Sequence, residues 1–169
     1  MTAADVQHLK SVEQRLLWLS HWMIHHANHI RPKLDGIKTG GHQASSASMV
    51  SIMTALYFSA LRPEDRVAVK PHAAPVLHAM HYLVGTQTRA RMENFRGLGG
   101  AQSYPSRTKD RIDVGFSTGS VGLGVASTAC AALRSAPVRL SSSICVALPQ
   151  LSQIRKMQSC RQPGWALAK

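Results

Sequence analysis

DRVAVKPHAAPVLHAMHYLVG at residues 65–85, ENFRGLGGAQSYPSRTKD at 93–110 and VGFSTGSVGLG at 114–124 follow one another in that order, and their reading decides the fold. Residues 66–70 alternate weakly about Val67 and Val69 and are few enough for one short strand, which ends at Lys70-Pro71-His72. Pro75 sits where a first helical turn tolerates proline, so a helix is expected as far as Val84. A short helix over 86–95, a loop over 97–109, a second strand at 114–116 and a helix opening after Gly119 complete this part. Helices alternating with short strands predict an α/β architecture, with helices around a short parallel sheet. Upstream, Val12, Leu16, Leu19, Met23, Ala27 and Ile30 recur at three- and four-residue steps. They predict a helix over 12–30 with one buried face, ended by Pro32. Met49, Ile52, Met53, Leu56, Tyr57 and Ala60 predict a second helix over 48–60, capped by the serines before it.

A chain of 169 residues is long enough to bury one respectable core. No apolar run reaches membrane-spanning length. The opening MTAADVQHLKSVEQ lacks the basic-then-apolar pattern of a secretory signal, so the chain reads as cytoplasmic. The net charge of +12 attracts phosphates in general, whether of nucleic acid or of a nucleotide-like cofactor. A small basic nucleic-acid binder therefore stays as an alternative on charge alone, although no nucleic-acid module is visible. The charges are unevenly spread. All eight acidic residues lie at or before Asp113, while Arg134, Arg139, Arg155, Lys156, Arg161 and Lys169 follow it. This shift suggests two sequences of different origin joined near Val125. Residues 127–169 read as an atypical basic tail, in which 127–133 could continue a helix and the stretch from Ser135, broken by Pro137, Pro149 and Pro163, is expected to be poorly ordered. Cys130, Cys145 and Cys160 match no zinc or redox spacing.

Four groups of residues invite chemistry, each with a plainer reading beside it. Gly40-Gly41-His42-Gln43-Ala44-Ser45 would let backbone approach a ligand, with His42 and Ser45 bonding its oxygens; an ordinary glycine loop with a capping serine is the simpler account. Lys70 and His72 stand at a strand end, where ligands of open α/β sheets collect, or are merely solvated polar residues. Residues 117–124, STGSVGLG, join a strand to a helix start, so free backbone N–H groups would face an anion. They lack the Walker ending and the dinucleotide glycine spacing, and close packing through small residues explains them equally well. His21, His25 and His29 step by four like a metal stripe, but without accompanying Glu or Cys they read better as a polar helix face.

Taken together, GGHQASSAS, DRVAVKPHAAPVLHA, ENFR, QSYPSRT and STGSVGLG resemble the thiamine-diphosphate enzymes of the transketolase superfamily. The nearest likeness is to the homodimeric decarboxylating component of pyruvate dehydrogenase and its transketolase-like relatives, over about residues 17–126. The resemblance implies that residues 1–126 are the N-terminal part of a thiamine-diphosphate-binding domain. It implies catalytic roles for His42, His72 and Tyr104, and cofactor contacts from Ser45, Lys70, His72, Ser120, Val121 and Gly122. His42 would line the substrate side of the thiazolium ring and His72 would meet the diphosphate. Lys70 stands where the pyruvate dehydrogenase type has a glutamine, and Val121 replaces a larger apolar residue. Tyr104 matches that type, where transketolases favour histidine. Such enzymes decarboxylate a 2-oxo acid or transfer a ketol group, and hold the diphosphate through magnesium.

The departures from the family lie downstream. There a Gly-Asp-Gly-type segment and a later asparagine complete the metal site, and a second domain, usually of the partner subunit, supplies a glutamate. No Gly-Asp pair follows Gly124, and no Asp, Glu or Asn follows Asp113. The expectation is a truncated, frameshift-like fragment, inactive alone or needing a homodimeric or complementing subunit. A non-catalytic protein retaining part of the fold is the main alternative.

Overall fold

The structure is a computed structural model and describes residues 2–33, 36–62, 65–119 and 123–135. Ser120, Val121, Gly122 and the expected disorder beyond residue 135 lie outside them. Helix α1 runs Ala3–His25, two turns earlier than the apolar stripe suggests. Its start is set by a capping box. The Thr2 hydroxyl accepts from the Asp5 backbone N–H, and the Asp5 carboxylate accepts from the Thr2 backbone N–H at 2.8 Å. The stripe is otherwise real, since Leu16, Met23 and Ala27 are wholly buried. The helix ends in a π turn, His26–Ile30, where the Arg31 N–H reaches back five residues to the His26 carbonyl at 2.9 Å.

The second predicted helix, over 48–60, forms as one run from Val50 to Ala60, and a separate short helix stands before it. Helix α2, Gln43–Ala47, precedes helix α3, Val50–Ala55, which passes into another π turn, Leu56–Ala60. The buried face departs from the expected stripe from the first turn of α3, ahead of the π turn. Val50, Met53, Tyr57, Phe58 and Leu61 point into the core, while Ile52, placed in the buried stripe by straight 3.6-residue counting, is 58% exposed.

Helix α4, Ala74–Leu83, is the centre of the molecule. A 3-10 turn, Pro71–Ala73, leads into it, and residues 73–81 are all buried. A helix buried on every side must be covered on every side. Helix α1 packs along it, and helices α2 and α5, the latter Arg89–Glu93, also touch it. Gly85, with φ of +78°, closes its C-terminus, where the Thr86 and Gln87 N–H groups donate to the His81 carbonyl. Helix α6, Leu123–Ser135, runs across the compositional break at Val125 and exposes Val125 and Leu133.

The expected α/β fold around a parallel sheet is overturned. The described residues are helical, with almost no strand; Arg66 alone is marked as a bridge residue. The alternation at 66–70 survives in burial, with Val67 and Val69 inside and Arg66 and Lys70 outside. What fails is the pairing. The Val69 carbonyl accepts from the Thr118 hydroxyl rather than from a neighbouring backbone N–H, and the second expected strand bends at Gly115 and Phe116. Two short extended segments without further neighbours do not sustain a ladder. Among the described residues, no helix is long and apolar enough to cross a membrane.

Total burial of α4 encloses two histidines. Burial, with a smaller push from His78, lowers the His81 pKa from 6.5 to about 3. Its Nδ1 meets the Thr86 hydroxyl at 2.7 Å, and its Nε2 has no protein partner. The unfolded chain takes up this proton below about pH 6.5 and the folded chain only near pH 3, so stability is complete above 6.5 and falls as pH drops toward 3. Urea unfolding between pH 4 and 6 should therefore show a stability gradient that is shallower in His81→Gln by up to about 1.4 kcal/mol per pH unit. The same assay should separate Phe58→Ala, expected to cost about 3–5 kcal/mol, from Ile52→Ser, expected to stay within about 0.5 kcal/mol.

Candidate functional site

The glycine loop is held by one side chain from the end of α1. Asn28 Nδ2 donates to the Gly40 carbonyl at 3.0 Å, and Asn28 Oδ1 accepts from the Gly40 N–H at 2.9 Å. The amide thus pairs with Gly40 as a neighbouring strand would. Thr39 adds a bond from its hydroxyl to the Ala27 carbonyl at 2.8 Å. Gly40 and Gly41 have φ of +86° and +110°, which L side chains rarely adopt. They also lack room. A Cβ at Gly41 would lie 3.0 Å from Ile24, and one at Gly40 would lie 2.5 Å from Arg96 Nη1.

The opposite wall is the segment 102–110, fixed by buried polar groups beneath it. His78 Nε2 meets the Gln102 carbonyl at 2.8 Å. A carbonyl only accepts, so that nitrogen carries the proton, and His78 Nδ1 accepts from Gln87 Nε2 at 3.1 Å. The Asp110 carboxylate accepts from the backbone N–H groups of Gln102 and Ser106, at 3.2 and 2.9 Å, and lies 4.0 Å from His78 Nε2. Burial holds the His78 pKa below its usual value, against an opposing pull from Asp110. The Thr118 N–H donates to the Pro105 carbonyl at 3.0 Å, and the Arg107 N–H to the Ser117 hydroxyl. Residues 117–119 are thereby anchored to the same wall.

Between these walls lies an open cavity of about 120 Å³. His42, His72, Arg96, Ser103 and Tyr104 supply its polar lining, and Gly41 and Gly119 lie at its edge. Phe95 and two prolines make its apolar side. His42 and His72, thirty positions apart in sequence, meet edge to face with ring centroids 5.0 Å apart. The three residues expected to be catalytic, His42, His72 and Tyr104, are thus brought together. The expected cofactor contacts fare differently. Ser45 is half-buried in α2 and Lys70 is exposed, and neither lines the cavity. Ser120, Val121 and Gly122 lie outside the described residues.

Arg96 carried no role in the sequence reading, though it stands in the ENFR motif. It is the one non-glycine of the described residues with positive φ, at +62°. That conformation costs an ordinary residue about 1–2 kcal/mol. Its Nη1 donates to the Thr39 carbonyl at 2.8 Å. The signal that could have found it is an arginine directly before Gly97, where the turn asks for glycine or asparagine.

Imidazoles, a guanidinium, two hydroxyls and glycine backbone suit oxygen-rich anions, and among the described residues no carboxylate lines the cavity. An apolar cavity of about 150 Å³ admits one benzene. A space of about 120 Å³ therefore suits a diphosphate or a short oxo acid, with the rest of any larger cofactor in the opening. A magnesium site does not fit the described residues, where no three His, Cys, Asp or Glu side chains come together. His25 and His29 of the histidine stripe do approach, with ring centroids 4.8 Å apart.

Asn28→Ala leaves the Gly40 N–H and carbonyl without their partner. It should cost about 1–3 kcal/mol of unfolding free energy and shift the NMR resonances of His42, read by thermal melting and by the histidine ring protons. Set beside models of known protein families and beside curated proteins, the chain matches none.

Proposed function

We propose that this chain carries the diphosphate-facing part of a thiamine-diphosphate site of the transketolase and pyruvate dehydrogenase type. The carrying observation is the meeting of His42, His72 and Tyr104 around one cavity that no carboxylate of the described residues lines. When bound, thiamine diphosphate supplies an electron sink for breaking a carbon–carbon bond next to a carbonyl. The chain's own residues bind and orient. His72 offers a ring nitrogen to an anionic oxygen, and the Gly40-Gly41 backbone keeps the approach clear. His42, in contact with His72, is placed to exchange a proton with a reacting oxygen. Tyr104 adds a hydroxyl donor at the rim, which favours a 2-oxo acid over a sugar phosphate. A dimer or a complementing subunit would complete the reaction, with magnesium ligands drawn from beyond the described residues. A cytoplasmic location belongs to this proposal.

A second reading is favoured by the sequence after Asp113, which contains no Asp, Glu or Asn. In it the chain binds the diphosphate without turnover, as a non-catalytic protein. Calorimetry with thiamine diphosphate tests both. Binding tighter than about 1 mM, or about −4 kcal/mol, supports the retained site, and His42→Ala with His72→Ala should weaken it at least about tenfold. Equal affinity in the double variant refutes it. Release of carbon dioxide from pyruvate by the chain alone would exclude the non-catalytic reading.

A further inference from the structure

We infer that Arg96 is the anion-recognising residue of the His42–His72 cavity, taking the paired oxygens of a carboxylate or a phosphate group. The inference rests on the reading of that cavity as an anion pocket and adds to it the residue that carries the charge. Three observations converge on this side chain.

The first is its freedom. Arg31, the nearby arginine, is committed to structure. Its guanidinium donates to the Phe95 carbonyl at 2.8 Å, the Asn94 side-chain oxygen at 3.3 Å and the Thr39 hydroxyl at 3.4 Å. Arg96 makes a hydrogen bond from Nη1 to the Thr39 carbonyl and lies over the Phe95 ring at 5.9 Å from its centroid, and among the described residues no Asp or Glu forms an ion pair with it. A guanidinium has five donors in a planar fork that matches two oxygens side by side.

The second is the backbone. Arg96 holds a left-handed conformation that glycine or asparagine would adopt at less cost, and strain of this kind gathers at ligand clamps. The third is the space made for it. Gly40 leaves open the position, 2.5 Å from Arg96 Nη1, that any side chain would fill. Lys70, the cation that the family resemblance brings to the diphosphate, lies away from the cavity lining. Arg96 occupies the lining with His42, His72, Ser103 and Tyr104, where no acid among the described residues competes with an incoming anion.

The left-handed backbone makes a clean test. Arg96→Gly removes the cation and also relaxes the strain, so its melting temperature should equal or exceed that of the parent chain. Arg96→Asn, which also tolerates this conformation, serves as a second variant. Calorimetry with inorganic diphosphate and, separately, with pyruvate should show at least a tenfold loss of affinity in both variants for whichever anion Arg96 holds. Loss for diphosphate assigns Arg96 to a phosphate, and loss for pyruvate assigns it to a carboxylate. Arg96→Lys should recover part of the loss, since charge returns without the fork. Unchanged affinity for both anions in the variants, or no binding of either by the parent chain, overturns the inference. If thiamine diphosphate binds parent and variants alike, Arg96 loses its role while the cofactor reading stands. If diphosphate binding depends on Arg96 but thiamine diphosphate binds no more tightly than diphosphate, the cofactor reading falls and Arg96 keeps its role.

Discussion

Helix α4 is buried on every side, and that single constraint organises the molecule. An apolar helix in this position needs only a cover. This one carries His78 and His81 inside, and buried imidazoles need hydrogen-bond partners as well. His81 takes the Thr86 hydroxyl just beyond its own helix. His78 draws in Gln87 and the Gln102 carbonyl, and Asp110 beside it gathers the Gln102 and Ser106 N–H groups. Satisfying the interior thus sets the course of residues 102–110, and with them Tyr104.

The cavity follows from two such clamps working from opposite sides. Asn28, at the π turn of α1, pairs with Gly40 and so places His42. The His78–Asp110 group places Tyr104, and the 3-10 turn before α4 places His72. No element of regular strand is involved. The result is a small concave surface rich in donors and poor in acids, with a positive-φ glycine pair and a positive-φ arginine facing each other across the loop. The opposite end of α4 is closed by Gly85 and by the Thr86 and Gln87 N–H groups on the His81 carbonyl.

Much of the helical layout was legible. The stripe at Leu16, Met23 and Ala27 announced α1, and Pro75 announced α4. The start of α1 was missed: the expected helix began at residue 12, whereas the capping box of Thr2 and Asp5 starts it at Ala3. The π turns were not legible either. Val50, Met53, Tyr57 and Leu61 make a 3.6-residue stripe as regular as the expected one beginning at Met49 and Ile52, and only packing decides which of the two faces inward. The strands failed for a related reason. Alternation at Val67 and Val69 reports which side faces the core, not whether a neighbouring backbone is present to pair.

By itself, the sequence determined the helices with strong apolar periods, the glycines that release the loop at 40–41, and the grouping of histidines at or before residue 81. It also determined a cationic balance that suits anions. Tertiary structure alone decided that no sheet forms among the described residues, that His42 and His72 touch, and that Arg96 rather than Lys70 enters the cavity. The physical reason is distance along the chain. Periodicity, caps and turn chemistry act over a few residues, whereas the contact of two rings thirty positions apart depends on which polar groups the buried face of α4 compels its surroundings to supply.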